Sequence, residues 1–195
     1  MLPESKIAFK EWAVVVDALA RGEQIIILRK GGIREERGQF QVEHREFWLF
    51  PTQYHEAERS IIPSKRPRLD ALAATLVKDQ VDIQYYAVAD SVLRVRDPAA
   101  ISRLQGRHIW NEQVLHDRFR FGRAPGLYVL LVRVYQRESP VRLPLLASFG
   151  GCKSWVELEQ EITTGDLTPV LADVEYHRQR EEIRERLSDH ALADS

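Results

Sequence analysis

A single cysteine, few lysines and no long apolar run set the first limits on this chain of 195 residues. Cys152 alone can form no internal disulfide and no cysteine-based zinc knuckle, and its solitude fits a reducing compartment. No segment approaches the ~20 consecutive apolar residues that a bilayer-spanning helix needs. The opening MLPESKIAFKEWAVVVDALARGEQ carries early charges and lacks the apolar stretch of a signal peptide. These absences predict a cytoplasmic protein with no membrane contact. An excess of either charge is missing too: 28 basic and 29 acidic residues give a net charge of -1. That excludes a uniformly positive surface but leaves room for a local basic patch. Only six residues are lysine, at 6, 10, 30, 65, 78 and 153, so 22 of the basic residues are arginine. Arginine binds carboxylate and phosphate through a planar fork, so the bias permits an anion-binding role; genomic composition or surface ion pairing explains it equally well.

What is present is an ordinary folding composition, 44% hydrophobic and 29% charged. Phe9, Trp12, Val16 and Leu19 fall three and four apart, which predicts a helix over 7–21 capped by Gly22. QIIILRK (24–30) reads as a buried strand broken by Gly31-Gly32. FQVEHREFWLF (40–50) reads as a strand covered on both faces, with Phe47 and Leu49 on one side and Trp48 and Phe50 on the other. Pro51 is expected to end it, and Thr52 to cap a short helix over 53–60. IIPSKRPR (61–68) is the best internal linker, and Pro67 opens a helix bearing Leu69, Leu72, Leu76 and Val77. VDIQYYAVA continues through SVLRV as strand, placing Ile83, Tyr85, Ala87 and Ala89 on one face. Asp97-Pro98 starts a short helix that ends at Gly106. VLHDRFRF (114–121) and LYVLLVRVYQ (127–136) predict a hairpin across the RAPG turn. Ser154 and Glu157 form a capping box for a helix with Trp155, Leu158 and Ile162, and Asp173 caps a last helix over 174–187.

This order lacks regular βαβ alternation. It predicts an α+β fold: five or six mostly antiparallel strands in a partly closed sheet or small barrel, with helices packed outside. One composite domain over 1–187 is expected, with a sub-boundary near 62–66 and a polar C-terminal tail over 188–195.

The densest candidate site is GGIREERGQFQVEHREFWLFPTQYH (31–55). Its Gly pair follows a strand, as phosphate-cradling loops do, but neither G-x-x-x-x-G-K-[ST] nor G-x-G-x-x-G is present, so a plain turn suffices. His44, Glu46 and His55 supply imidazole and carboxylate, a plausible divalent-metal set, yet no HExxH spacing brings them together. A strand would place His44 and Glu46 on one face, as an acid–base pair requires; a surface ion pair is the plainer alternative. Ser148-Phe-Gly-Gly is no nucleophile elbow, and Cys152 before Lys153 has little beyond proximity to activate it. Arg118, Arg120 and Arg123 on the predicted hairpin, preceded by Arg107, His108, Trp110 and His116, fit phosphate contacts and base stacking. Against this, Trp110, Phe119 and Phe121 serve as core if the arginines are simply solvated.

FKEW (9–12), LRKGGI (28–33), EHREFWLFPT followed by His55, and LLVRVY (130–135) together resemble a family catalogued as a domain of unknown function, the 1802 family, over about 7–187. The resemblance implies no established reaction, cofactor or ligand; it does imply that the 31–55 stretch is a family hallmark. In architecture, a helix before strands, a Gly-containing turn with Arg34-Glu35 and a later hairpin resemble the small barrels of the pseudouridine-synthase-and-archaeosine-transglycosylase-like superfamily. That likeness implies binding of RNA or modified bases.

The leading expectation is binding of nucleic acid or a nucleotide-like, phosphate-bearing anion through Lys30, Arg34, His44, Arg45 and His55, with Arg118 and Arg120 as a second patch. A metal-dependent hydrolase using His44, Glu46 and His55, and a non-catalytic structural or interaction protein, stand as alternatives. No cofactor or oligomeric state is implied.

Overall fold

The long runs of β-branched and aromatic residues after Asp79 and Gly126 become the two longest strands, β4 (Gln80–Val95) and β5 (Leu127–Pro144), which pair antiparallel along most of their length. The computed structural model describes residues 1–30, 43–53, 57–75, 77–122, 124–151, 153–188 and 191–193. Around the β4–β5 ladder stand β1 (Glu4–Trp12), β2 (Ile26–Arg29), β3 (Glu46–Thr52) and β6 (Trp155–Thr163), in the order β2-β5-β4-β3-β1-β6. Two short strands lie off this path: β7 (Thr168–Pro169) on β5, and β8 (Ala191–Ala193), within the polar tail, on β4. Among the described residues only β1 and β3 run parallel; the other pairings are antiparallel. The expected α+β fold with a mostly antiparallel sheet is therefore present, with eight strands among the described residues where five or six were expected. Among the described residues β2 and β6, at the two ends of the path, do not pair, so the sheet stays open.

Helices α1 (Ala13–Ala20), α2 (Ala57–Ser60), α3 (Pro67–Thr75), α4 (Ala99–Arg103), α5 (Glu112–Arg120) and α6 (Asp173–Leu187) pack outside the sheet. The larger core holds Phe9, Phe47, Leu49, most of α1 and the first half of β5, and the smaller holds Trp48, Phe50, Tyr86 and Phe149. The alternation Phe47-Trp48-Leu49-Phe50 thus delivers side chains to two separate cores, as a strand covered on both faces requires.

Three predicted elements differ. The 7–21 helix is β1 followed by α1, with Trp12 at the junction. β1 is buried between β3 and β6, with Ala8 in one core and Phe9 in the other. A doubly covered strand loses its period of two, and its apolar residues fall by chance at helical spacing. Residues 114–121 are not a strand: Asn111 accepts from the Gln113 amide at 2.9 Å and starts α5. Leu115 and Phe119, four apart, are its buried stripe, while Phe121, which made the sequence look alternating, is 66% exposed. The Trp155–Ile162 helix is β6 instead. Val156, Leu158 and Ile162 face inward, and Glu157 ion-pairs with Lys6 across the β1–β6 ladder.

Two finer expectations also shift. Pro51 lies inside β3 opposite Glu11 rather than ending it. A register shift between Ile83 and Tyr85 sends Ile83 to the small core, while Tyr85, Ala87 and Ala89 face the large one. The Pro-containing segment 61–68 is fastened to the body. Ile61 is fully buried and bridges Trp110, and Glu23 accepts from Arg68 at 2.5 and 2.9 Å and from Lys65 at 2.7 Å. Arg68 reaches Asp17 as well, at 3.1 Å, so one guanidinium ties α3 to both ends of the α1 turn.

Replacing the α5 cap, Asn111→Ala, leaves the first turn's amides unpaired and should lower stability by about 1 kcal/mol in denaturant unfolding. The Arg68 and Lys65 cations hold the Glu23 carboxyl down to about 2 from the ordinary 4.5. A depressed carboxylate stabilises the fold above its unfolded pKa, and that contribution is lost as pH falls from about 4.5 toward about 2. Glu23→Gln should remove it, costing about 1 kcal/mol or less because solvent screens the pair, and flattening the thermal-unfolding profile across that acid window.

Candidate ligand-binding site

β3 and β4 pair only from Glu46↔Val88 to Trp48↔Tyr86. The same register carried onward would set Leu49 opposite Tyr85 and Pro51 opposite Ile83, but the strands part instead. Leu49–Thr52 stay on β1, and Gln80–Ile83 stay on β5. Two local features fit this separation. Pro51 has no N–H for a ladder and suits a stretch with a strand partner on one side only. The register shift at Ile83/Tyr85 turns β4 away at the same level. Between them lies a cavity of about 900 Å³, at the upper end of the range for small-molecule sites.

Val16 and Leu72, from α1 and α3, close one side of the cavity, and Leu146 and Phe149, from the turn after β5, close the other. The Phe149 ring meets Phe50 edge to face at 5.3 Å. Lys10 fixes this turn: its ammonium donates to the carbonyls of Phe149 at 2.7 Å and Gly151 at 2.9 Å. Thr52 Oγ1 donates to the Glu11 carbonyl at 3.1 Å. The two acids on the lining are neutralised by partners, Asp82 by Arg142 at 2.7 and 2.8 Å, Asp17 by Arg21 and Arg68. The Arg142 guanidinium holds the Asp82 carboxyl below its ordinary value.

Three polar side chains on the lining are uncommitted among the described residues: the Tyr85 hydroxyl and the Gln53 and Gln80 amides make no hydrogen bond there. Burial, then the charge of Asp17, pushes the Tyr85 hydroxyl above its ordinary value, so it stays protonated and can both donate and accept. The arrangement offers apolar walls with a few convergent polar groups and little net charge. None of this was singled out from sequence; the signal was Pro51 inside an otherwise confident strand.

The described residues among those chosen from sequence do not line this cavity. The Lys30 ammonium donates to Phe119, Ala124 and Gly126 carbonyls at 2.9, 2.7 and 3.1 Å, so all three of its hydrogens are engaged. His44 lies before β3, its ring edge-on to Trp155 at 5.2 Å, beside the large core. Glu46 turns to the small-core side, accepting from Tyr86 Oη at 3.2 Å and the Leu2 amide at 2.7 Å. His44 and Glu46 therefore occupy opposite faces, not the one face that a strand spacing of two implied. Arg45 is exposed, and its carbonyl accepts from the Ala89 amide at 2.8 Å. Arg118 stands on α5 with its guanidinium over Trp110 at 3.9 Å and Trp12 at 5.0 Å, and Arg120 is exposed at the end of that helix. Arg34 and His55 lie outside the described residues. Among the described residues no group of three or more His, Cys, Asp or Glu is placed to hold a metal ion. Within the same set no helix is long and apolar enough to cross a membrane.

No curated protein matches this chain. Among solved structures, the ASCH protein of Zymomonas mobilis is similar at a TM-score of 0.46 and 12% identity, covering 97% of this chain and 96% of its own. Two mutants of it give 0.46 and 0.45 at 12% and 13% identity, covering 92% and 96% of this chain and 98% of theirs. The family model described as a domain of unknown function (DUF1802) matches residues 8–182, and the protein belongs to that family.

Proposed function

We propose that the protein binds a nucleobase-bearing small molecule, a nucleoside or nucleotide, in the cavity where β3 and β4 part. The observation that carries this reading is the cavity itself: about 900 Å³ of space with apolar walls and three uncommitted polar side chains. An aromatic heterocycle is flat, has apolar faces and carries donors and acceptors along its edge. Phe50 and Phe149 suit the faces, and the Tyr85 hydroxyl and Gln53 amide suit the edge. With Asp17 and Asp82 held in ion pairs, the cavity favours a neutral base over a charged group inside. Lys10 places positive charge on the wall without releasing its two carbonyls, consistent with an anionic substituent lying near it. The sequence-based expectation of a nucleotide-like ligand is kept by this reading, but moved to other residues.

Titration calorimetry against the four ribonucleosides and their 5′-monophosphates tests it. At least one is expected to bind. Tyr85→Phe should weaken that binding by about tenfold, the size of one lost hydrogen bond. Ala147→Trp, which adds bulk to a lining residue at the exposed turn, should abolish binding while leaving the unfolding temperature nearly unchanged. Absence of binding by all eight compounds, or equal affinity in all three proteins, refutes the reading.

A further inference from the structure

At the far end of β4 from the cavity, Arg29, Tyr128 and Arg94 are register partners across β2, β5 and β4. Paired residues project from the same face, so the three side chains form a row, Arg-Tyr-Arg. Tyr128 is only 4% exposed, and the Arg94 guanidinium lies over its ring, 5.5 Å from the centroid. Arg29 is accounted for: it pairs with the buried Glu11 at 3.3 Å and lies over Phe9 at 4.4 Å. Arg94 is not. Among the described residues it has neither an ion pair nor a hydrogen bond, although it is half-buried and its Nε is shielded from solvent.

A second cation sits beside it. Gly126 accepts from the Lys30 ammonium at 3.1 Å, and a Cβ at Gly126 would stand 4.0 Å from Arg94 Nε and 3.1 Å from the Val95 carbonyl. With φ at +143° and a Cβ position crowded by the Val95 carbonyl, Gly126 lets both Lys30 and Arg94 come close to its backbone. Lys30 also lacks an ion pair among the described residues, its partners being carbonyls. Burial, then the nearby charge of Arg94, lowers its pKa. Two like charges flanking one glycine, partly out of water and without a carboxylate, repel each other and are poorly solvated. An anion bound there removes both costs.

We propose that this corner is a phosphate-binding site in which the Arg94 guanidinium, lying over the Tyr128 ring, supplies the forked hydrogen bonds and Lys30 adds charge. The fork geometry suits a phosphate oxygen pair, and the partial burial strengthens each bond. Arg96 and Arg120, both exposed and without an ion pair among the described residues, follow β4 and close α5 next to this corner, so a phosphate approaches through positive potential. The inference is independent of the cavity, which lies at the other end of β4.

The test uses the whole chain, followed by thermal shift and by the Arg Nε–Hε resonances in NMR, with three probes: inorganic phosphate, a mononucleotide, and a single-stranded ribo-oligomer. All three should raise the unfolding temperature of the wild type and shift the Arg94 resonance. Arg94→Gln should weaken each by at least tenfold, and Arg59→Gln, an exposed arginine on α2, should change none. Phosphate and the mononucleotide binding alone would assign the site to free phosphate monoesters; tighter, salt-sensitive binding of the oligomer would assign it to a nucleic-acid backbone. Without probe, Arg94→Gln should unfold at the same or a higher temperature, because it removes an unpaired, repelled charge. A lower unfolding temperature with unchanged phosphate response marks Arg94 as purely structural and overturns the proposal. So does a wild-type Arg94 resonance that none of the probes moves, which decides the matter even if the variant fails to fold.

Discussion

The organisation of the molecule depends on one strand having two different neighbourhoods along its length. From Glu46 to Trp48, β3 pairs with β4; from Trp48 to Thr52 it pairs with β1, and beyond Trp48 it keeps β1 alone among the described residues. The change coincides with Pro51, which removes an amide hydrogen, and with the bulge in β4. Because β3 also divides the two cores, its position is held by Phe47 and Leu49 on one side and by Trp48 and Phe50 on the other. Shifting its register by a single residue would exchange every one of those side chains between cores. The opening beside it is therefore a fixed feature of the packing, defined as firmly as the cores themselves.

Two of the six lysines act at the two ends of this sheet in the same way. Lys10 gathers two carbonyls of the turn after β5, and Lys30 gathers three at the end of α5 and the start of β5. A compact ammonium with three rotatable hydrogens can satisfy carbonyls that converge on a point, a task for which a planar guanidinium is poorly shaped. Arginines serve instead where a carboxylate must be gripped: Arg68 on Glu23 and Asp17, Arg142 on Asp82, Arg178 on Glu175. The arginine-rich composition is in good part this ion-pair scaffold, which is why composition by itself said little about ligands.

Much of the fold was legible because local chemistry and tertiary packing agreed. β2, β5, the Asp97-Pro98 helix start and the two-sided FWLF strand each combined a propensity signal with a matching breaker or cap. Sequence reading failed where burial on both faces erased periodicity, as in β1, and where a spacing of two was incidental, as with Phe119 and Phe121. It failed in the opposite sense at β6, where Ser154 and Glu157 imitate a capping box although Glu157 faces Lys6 on the next strand. The site was less legible still. His44 and Glu46 were grouped by strand spacing, but His44 precedes the strand and turns to the opposite face. Tyr85 and Gln53 gave no signal, because their significance comes from a gap between strands that no local pattern encodes.

Arg94 shows what distinguishes an informative charge from a decorative one. An exposed arginine without a partner is solvated by water at little cost, and a half-buried one with a carboxylate is accounted for by its ion pair. A half-buried guanidinium with neither, placed beside a second cation, has among the described residues only the Tyr128 ring to offset its charge. The same reasoning applied to the cavity leads elsewhere: its acids are paired, its lysine is engaged by carbonyls, and the groups left over are a neutral hydroxyl and two neutral amides. One end of β4 thus leaves unmatched hydrogen-bonding capacity without charge, and the other leaves unmatched charge. Ligand chemistry at each end follows from what the fold fails to neutralise, so the two ends select different chemical groups even though a single strand joins them.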